Sequence, residues 1–178
     1  MTARILHVSG SIALGDTPVA WGWSIARCLD ALVAVRPHLV IHGDADGGDR
    51  AAEVAASQVG VPTLAWPKAY GATRRAELRL GLGEPPPPVI LADAGDLPAY
   101  DGHPLKRDQA MVAWCEVRHK AGVEVTSLGL FAPWCPRFKA GRGGTRYTMH
   151  LARTAGFRLR WHVCPLECGP TEGRAWIR

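Results

Sequence analysis

The sequence predicts an α/β fold in which a mostly parallel sheet of about five strands lies between two layers of helices. Two observations predict it. Short apolar runs alternate with stretches of helical periodicity from residue 4 to residue 163, and three of those runs open into glycine-rich turns. Parallel neighbours need a crossover long enough to hold a helix, and right-handed crossovers cover both faces of the sheet.

The first apolar run, 4–8, ends in Ser9-Gly10-Ser11 and reads as a buried strand running into a tight turn. Residues 16–35 then read as a helix: Asp16 or Thr17 suits its cap, Pro18 its first turn, and Trp23, Ala26, Leu29, Ala31 and Val33 its apolar face. Leu39-Val40-Ile41 makes a second strand, followed by the glycine- and aspartate-rich turn 42–50 and a helix over 51–59. A third strand, 61–65, follows Gly60. Regularity then fails from 66 to 102, where 74–82 is helical at best and Pro85-Pro86-Pro87-Pro88 excludes helix in favour of polyproline II. Residues 69–101 are therefore expected as an irregular insertion standing off the core, a lid or a dimer contact. Pro104 opens a helix over 105–120, and 123–130 is a fourth strand. The basic, glycine-rich loop 132–144 leads to a helix over 145–155, and 157–163 is a fifth strand. Residues 1–163 form one domain in this reading, and 164–178 a tail laid over its surface.

Bulk composition narrows the function classes. A chain of 178 residues, 47% hydrophobic and 21% charged, buries a core without metals or disulfides to staple it. The absence of both a membrane-length apolar run and a leader-like start at Met1 leads to the expectation of a cytoplasmic protein without a membrane partner. Five irregularly placed cysteines (Cys28, Cys115, Cys135, Cys164, Cys168) suit reduced thiols. The net charge of +5 is uneven: residues 1–100 carry 8 Lys/Arg against 10 Asp/Glu, and residues 101–178 carry 13 against 6. The basic half is expected to meet an anion. Its cations are spread among glycines rather than packed in a run, which suits a small phosphate-bearing ligand as well as nucleic acid.

The candidate site lies in the turns, because ligands of such sheets bind at the carboxyl ends of the strands. A backbone that approaches phosphate closely needs glycine, and a helix beginning there turns free N–H groups toward the anion. Ser9, Gly10 and Ser11, then Gly43 and Gly47, then Gly143, Gly144 and Thr145 meet this requirement. Asp44, Asp46 and Asp49 sit poorly beside phosphate. Asp49 is the ribose or structural candidate, and Asp44 reads equally as a sugar contact or a turn-former. Arg137, Lys139, Arg142 and Arg146 surround the third cluster as counter-charges, with Arg142 and Arg146 foremost. At the start of the 105–120 helix Arg107 opposes the helix dipole, so its position favours an anion over helix stability, and Asp108 stands beside it. Trp66 or Trp134, next to these loops, is placed to stack on a base. No metal is expected: the carboxylate spacing fits no calcium loop, and Cys164 with Cys168 lacks a second pair at zinc-finger spacing.

Taken together these segments resemble the SLOG superfamily, the DprA- and LOG-like Rossmannoid proteins, and in particular its YspA/YpsA-related branch. The likeness rests on Val8-Ser9-Gly10-Ser11, on HGDADGGDR at 42–50, on HPLKRDQAMV at 103–112, and on Gly143-Gly144-Thr145 with Met149 and Ala152 after it. It covers nearly all of 4–163 apart from the insertion. The resemblance implies a Rossmann-like three-layer sandwich, often a homodimer, that binds a nucleotide or nucleotide-derived ligand and requires no other cofactor. LOG enzymes also hydrolyse the N-glycosidic bond of nucleoside monophosphates. Here Thr148 stands where their motif has glutamate, Arg142 replaces a glycine, and Asp108 takes the place of the branch's usual asparagine. Ligand binding is thus the first expectation. A phosphoribohydrolase and a DprA-like nucleic-acid-binding accessory protein are the alternatives.

Overall fold

The computed structural model describes residues 2–91, 97–141 and 143–170. Along the chain run β1 (Arg4–Gly10), a 3-10 turn (Ile12–Gly15), α1 (Pro18–Val35), β2 (Leu39–His42), α2 (Gly48–Gln58) and β3 (Thr63–Ala65). Next come β4 (Thr73–Arg75), β5 (Glu77–Arg79), α3 (Pro88–Leu91), β6 (Ala99–Asp101) and α4 (Pro104–Lys120). The chain continues through β7 (Glu124–Phe131), α5 (Pro136–Lys139), α6 (Gly144–Thr154), β8 (Arg158–Val163) and a 3-10 turn (Leu166–Cys168). Six strands form the central sheet in the order β5-β3-β2-β1-β7-β8, parallel throughout except for β5. The fold is the expected α/β sandwich.

Period-two alternation sorts the sheet's side chains into two cores. Leu6, Val8, Val40, Leu128 and Leu130 face α1 and α2, where Ala51, Ala52, Ala55 and Ala56 present a flat surface of methyl groups. Ile5, Leu39, Ile41, Leu64 and Val125 face the opposite layer, packing with Met111, Val112, Trp114 and Cys115 of α4 and Ala152 of α6. The chain builds outward from β1 to β2 and β3, then crosses back to β7 on β1's other side. With crossover handedness constant, that reversal puts the later helices on the other face. It also opens a crevice between the carboxyl ends of β1 and β7.

Local signals explain α1. Thr17 accepts a hydrogen bond from the Ala20 amide at 3.1 Å, Pro18 occupies the first turn, and Arg36 ends the helix with a left-handed φ of 50°. Contrary to the expectation that no segment approaches membrane length, α1 is long and apolar enough by composition to cross a bilayer. Here Ala20, Ser24, Cys28, Ala31, Leu32 and Val35 are its buried face.

The structure corrects three readings. Residues 74–82 are not helical: Thr73–Arg75 pairs with Ala99–Asp101 as a separate two-stranded sheet, and Glu77–Arg79 pairs antiparallel with β3. Three-residue strands carry too little periodicity to announce themselves, and it is the open edge of β3 that draws β5 into the sheet. The insertion does not stand off the core, since Ala76, Ile90 and Tyr100 are buried against Trp66 and α4's apolar face. Nor is residue 164 onward a surface tail as far as it is described: Cys164 and Cys168 are buried beside Trp134, and the Thr17 hydroxyl donates to the Cys168 carbonyl at 2.5 Å. Residues 171–178 lie outside the described residues.

Candidate functional site

The first two turns are built against each other. A Cβ on Gly10 would lie 2.3 Å from the Cα of Gly48, and one on Gly47, whose φ is +73°, would lie 2.3 Å from the Ser11 carbonyl oxygen. These glycines therefore serve contact between the end of β1 and the start of α2. The Gly10 amide donates to Asp49 Oδ1 at 2.9 Å, and the Gly48 amide donates to the Ser11 carbonyl at 3.2 Å. Amides expected to face phosphate are thus spent on holding the turns together.

Beneath them lies a buried polar layer. Arg107 donates through Nε and Nη2 to Asp108 Oδ1 at 3.0 and 2.7 Å, and through Nη1 to the Gly43 carbonyl at 2.6 Å. Asp108 Oδ2 in turn accepts from the Thr148 hydroxyl at 3.0 Å, tying α4 to α6. On the same side of β1, His7 Nδ1 and Ser127 Oγ share a hydrogen bond of 2.7 Å, while His7 Nε2 is buried without a partner among the described residues. Burial, reinforced by the Arg107 charge, lowers the His7 pKa to about 4. Burial likewise lowers His42 to about 4. Asp49 moves the other way: burial pushes its carboxyl up to about 7, against the opposing pull of Arg107 and of the Gly10 hydrogen bond.

Above this layer a cleft of about 420 Å³ opens at the switch point. Ser9, Gly10, Ser11, Ile12 and Asp16 form one wall, and Phe131, Cys135, Arg137 and Phe138 another. Gly143, Gly144, Thr145 and Arg146 close one end at the N-terminus of α6, which carries no side-chain cap, and Lys68 and Tyr70 reach in from the neck of the insertion. The Phe131 and Phe138 rings stand 5.5 Å apart, and Tyr70 is 74% exposed.

Of the residues singled out from sequence, Ser9, Gly10, Ser11, Asp49, Arg107, Asp108, Gly143, Gly144 and Thr145 all line this cleft. Gly43, Asp44 and Gly47 do not. Asp44 adopts a φ of 52° and is held by Arg79 in a two-pronged ion pair, and Gly43 offers its carbonyl to Arg107. Arg107 is no free counter-charge, since its guanidinium is buried and bonded. Trp66 and Trp134 are buried at 0% and 9% exposure, so neither offers a stacking face. Arg142 lies outside the described residues. Sequence reasoning passed over Lys68, Tyr70, Phe131 and Phe138 as cleft residues and took Asp16 only for a helix cap. Position directly after a strand was the signal for Phe131, whereas Lys68 and Tyr70 lay in the stretch where periodicity failed.

The raised Asp49 value makes a pH prediction. Unfolded, this carboxyl loses its proton near 3.8, and folded it keeps it to about 7, so its contribution to stability falls as pH rises through that window. The two histidines act oppositely: the unfolded rings take up protons at about 6.5 and the folded ones only at about 4, so they cost stability as pH falls between those values. Asp49→Asn keeps an oxygen for the Gly10 amide but removes the titration. Relative to wild type, the variant is expected to gain stability, on the order of a few kcal/mol, between pH 4 and pH 7.5. Urea midpoints at the two pH values check this. A wild-type-to-variant difference independent of pH would show that Asp49 titrates normally.

Fold and site together define an α/β protein with a ligand-sized cleft at the switch point of a parallel sheet. Comparison of the chain with family models, with curated proteins and with solved structures finds no match.

Proposed function

We propose that the cleft binds a phosphate-bearing small molecule of the nucleotide type. The observation that carries this reading is the meeting, at one rim of the sheet, of the β1 turn and the uncapped N-terminus of α6 with three cations, Lys68, Arg137 and Arg146. An 11-residue helix carries partial positive charge at its N-terminus, where Gly143 and Gly144 bring no side chain of their own and no side-chain cap is made. Lys68 and Arg137 have no ion-pair partner among the described residues. Phe131, Phe138 and Tyr70 supply flat apolar surface for a base. The residues that resemble the SLOG superfamily lend the reading further support.

Calorimetric titration with the ribonucleoside 5′-monophosphates and diphosphates, with unphosphorylated nucleosides as controls, tests the proposal. Binding is expected for a phosphorylated member and not for its nucleoside. Arg146→Ala is expected to weaken it by about 1.5–3 kcal/mol, the range for a hydrogen bond to a charged group. Equal affinity for nucleotide and nucleoside would remove the phosphate assignment.

One observation favours hydrolysis as a second reading: the Asp49 carboxyl, which holds its proton to about 7, forms part of the cleft wall. Against it, Thr148 occupies the position of the LOG glutamate and is itself buried and bonded to Asp108. Chromatography for free base after incubation with the nucleotide that binds separates the two readings.

A further inference from the structure

Among the described residues, three carboxyl groups line the cleft, Asp16, Asp49 and Asp108, and two are already engaged. Asp49 accepts the Gly10 amide, and Asp108 accepts from Arg107 and Thr148. Asp16 is exposed, in the bend between the first 3-10 turn and α1, and its carboxylate has neither a hydrogen-bond nor an ion-pair partner among the described residues. It does not cap α1, because Thr17 does. No ion pair among the described residues joins it to Lys68, Arg137 or Arg146, although all line the same cleft. A free carboxylate repels a bare anion, so a cleft holding both signs unpaired suits a ligand that is anionic at one end and rich in hydrogen-bond donors at the other.

Vicinal hydroxyls meet that description. Each donates one hydrogen bond, and a carboxylate offers two acceptor oxygens. We propose, resting on the nucleotide reading above, that Asp16 accepts hydrogen bonds from the ribose 2′- and 3′-hydroxyls, making the cleft selective for ribonucleotides. This assigns to Asp16 the sugar contact that the sequence suggested for Asp49.

The test is calorimetry on the full chain with the four ribonucleoside 5′-monophosphates and their 2′,3′-dideoxy counterparts, for wild type and Asp16→Asn, with melting temperatures confirming that the variant folds. The ribonucleotide that binds is expected to lose about tenfold or more in affinity when both hydroxyls are absent. Asp16→Asn is expected to weaken the ribonucleotide by a similar factor and not to weaken the dideoxynucleotide, so that the preference disappears. Equal binding of both forms by wild type, or a preference that survives in Asp16→Asn, would overturn the sugar assignment and leave the nucleotide reading intact. Failure of every nucleotide to bind wild type would overturn both.

Discussion

Gly10→Ala is expected to be among the most damaging single substitutions outside the bulk of the core, costing more than about 4 kcal/mol, a large share of a domain's marginal stability. The new methyl group would sit 2.3 Å from the Gly48 Cα and 2.8 Å from its carbonyl carbon, main chain against main chain, with no flexible side chain to swing aside. Relief requires moving the start of α2 away from β1, which breaks the Gly10–Asp49 and Gly48–Ser11 hydrogen bonds together. Gly22→Ala is the control. Gly22 lies within α1 with nothing within 4 Å of an added Cβ, so alanine there is expected to stabilise by about 0.5–1 kcal/mol through helix propensity. Thermal and urea unfolding of both variants measures the contrast. If Gly10→Ala melts close to wild type, the two turns are not in the contact described.

The second large effect is expected at Asp108. Its removal in Asp108→Ala leaves the guanidinium of a buried arginine without its counter-ion, and breaking such a pair from one side typically costs about 3–5 kcal/mol. Arg107 is 7% exposed and Asp108 2%, so water does not make up the loss. The double variant Arg107→Ala with Asp108→Ala is expected to be less destabilised than the sum of the single variants, because removing both charges spares the cost of an orphaned one. Additive costs in the urea-unfolding cycle would show that the pair is not coupled. Thr148→Val makes a smaller companion measurement: one hydroxyl proton lies between Asp108 Oδ2 at 3.0 Å and the Gly144 carbonyl at 2.8 Å, so only one of these bonds is made at a time.

Most of the sheet was legible because β1, β2 and β7 are apolar-rich runs buried along nearly their whole length, with β8 an exposed run of mixed residues at the sheet edge, and because the helices repeat at a period that strands cannot mimic. β1, β2, β7 and β8 fall within two residues of their expected bounds, as do α1, α4 and α6. The failures cluster between 69 and 101. Thr73–Arg75 is wholly exposed and Glu77–Arg79 is exposed only at Glu77 and half-buried after it, and neither alternates in hydrophobicity over a length that would stand out from a loop. What places them is pairing with residues 99–101 and with β3, neither of which is local.

The same division runs through the site. Which turns gather at one rim follows from strand order and parallel direction, and these follow from the alternation of strand and helix; the β1 turn and the start of α6 line the cleft, while the glycines of the second turn pack against the β1 turn instead. How each residue is spent depended on partners far away in the chain. Gly10 meets Gly48, Arg107 meets the Gly43 carbonyl, Asp44 meets Arg79, and Trp66 and Trp134 turn into the core. Sequence by itself determined the α/β architecture and the end of the sheet where the cleft opens, because hydrophobic periodicity is a local property that each segment carries alone. Only the tertiary structure decided which polar groups are consumed in building that end and which, such as Asp16, Lys68 and Arg146, remain to face the cleft. Burial and hydrogen-bond pairing are properties of the packed whole, and no segment carries them before it is packed.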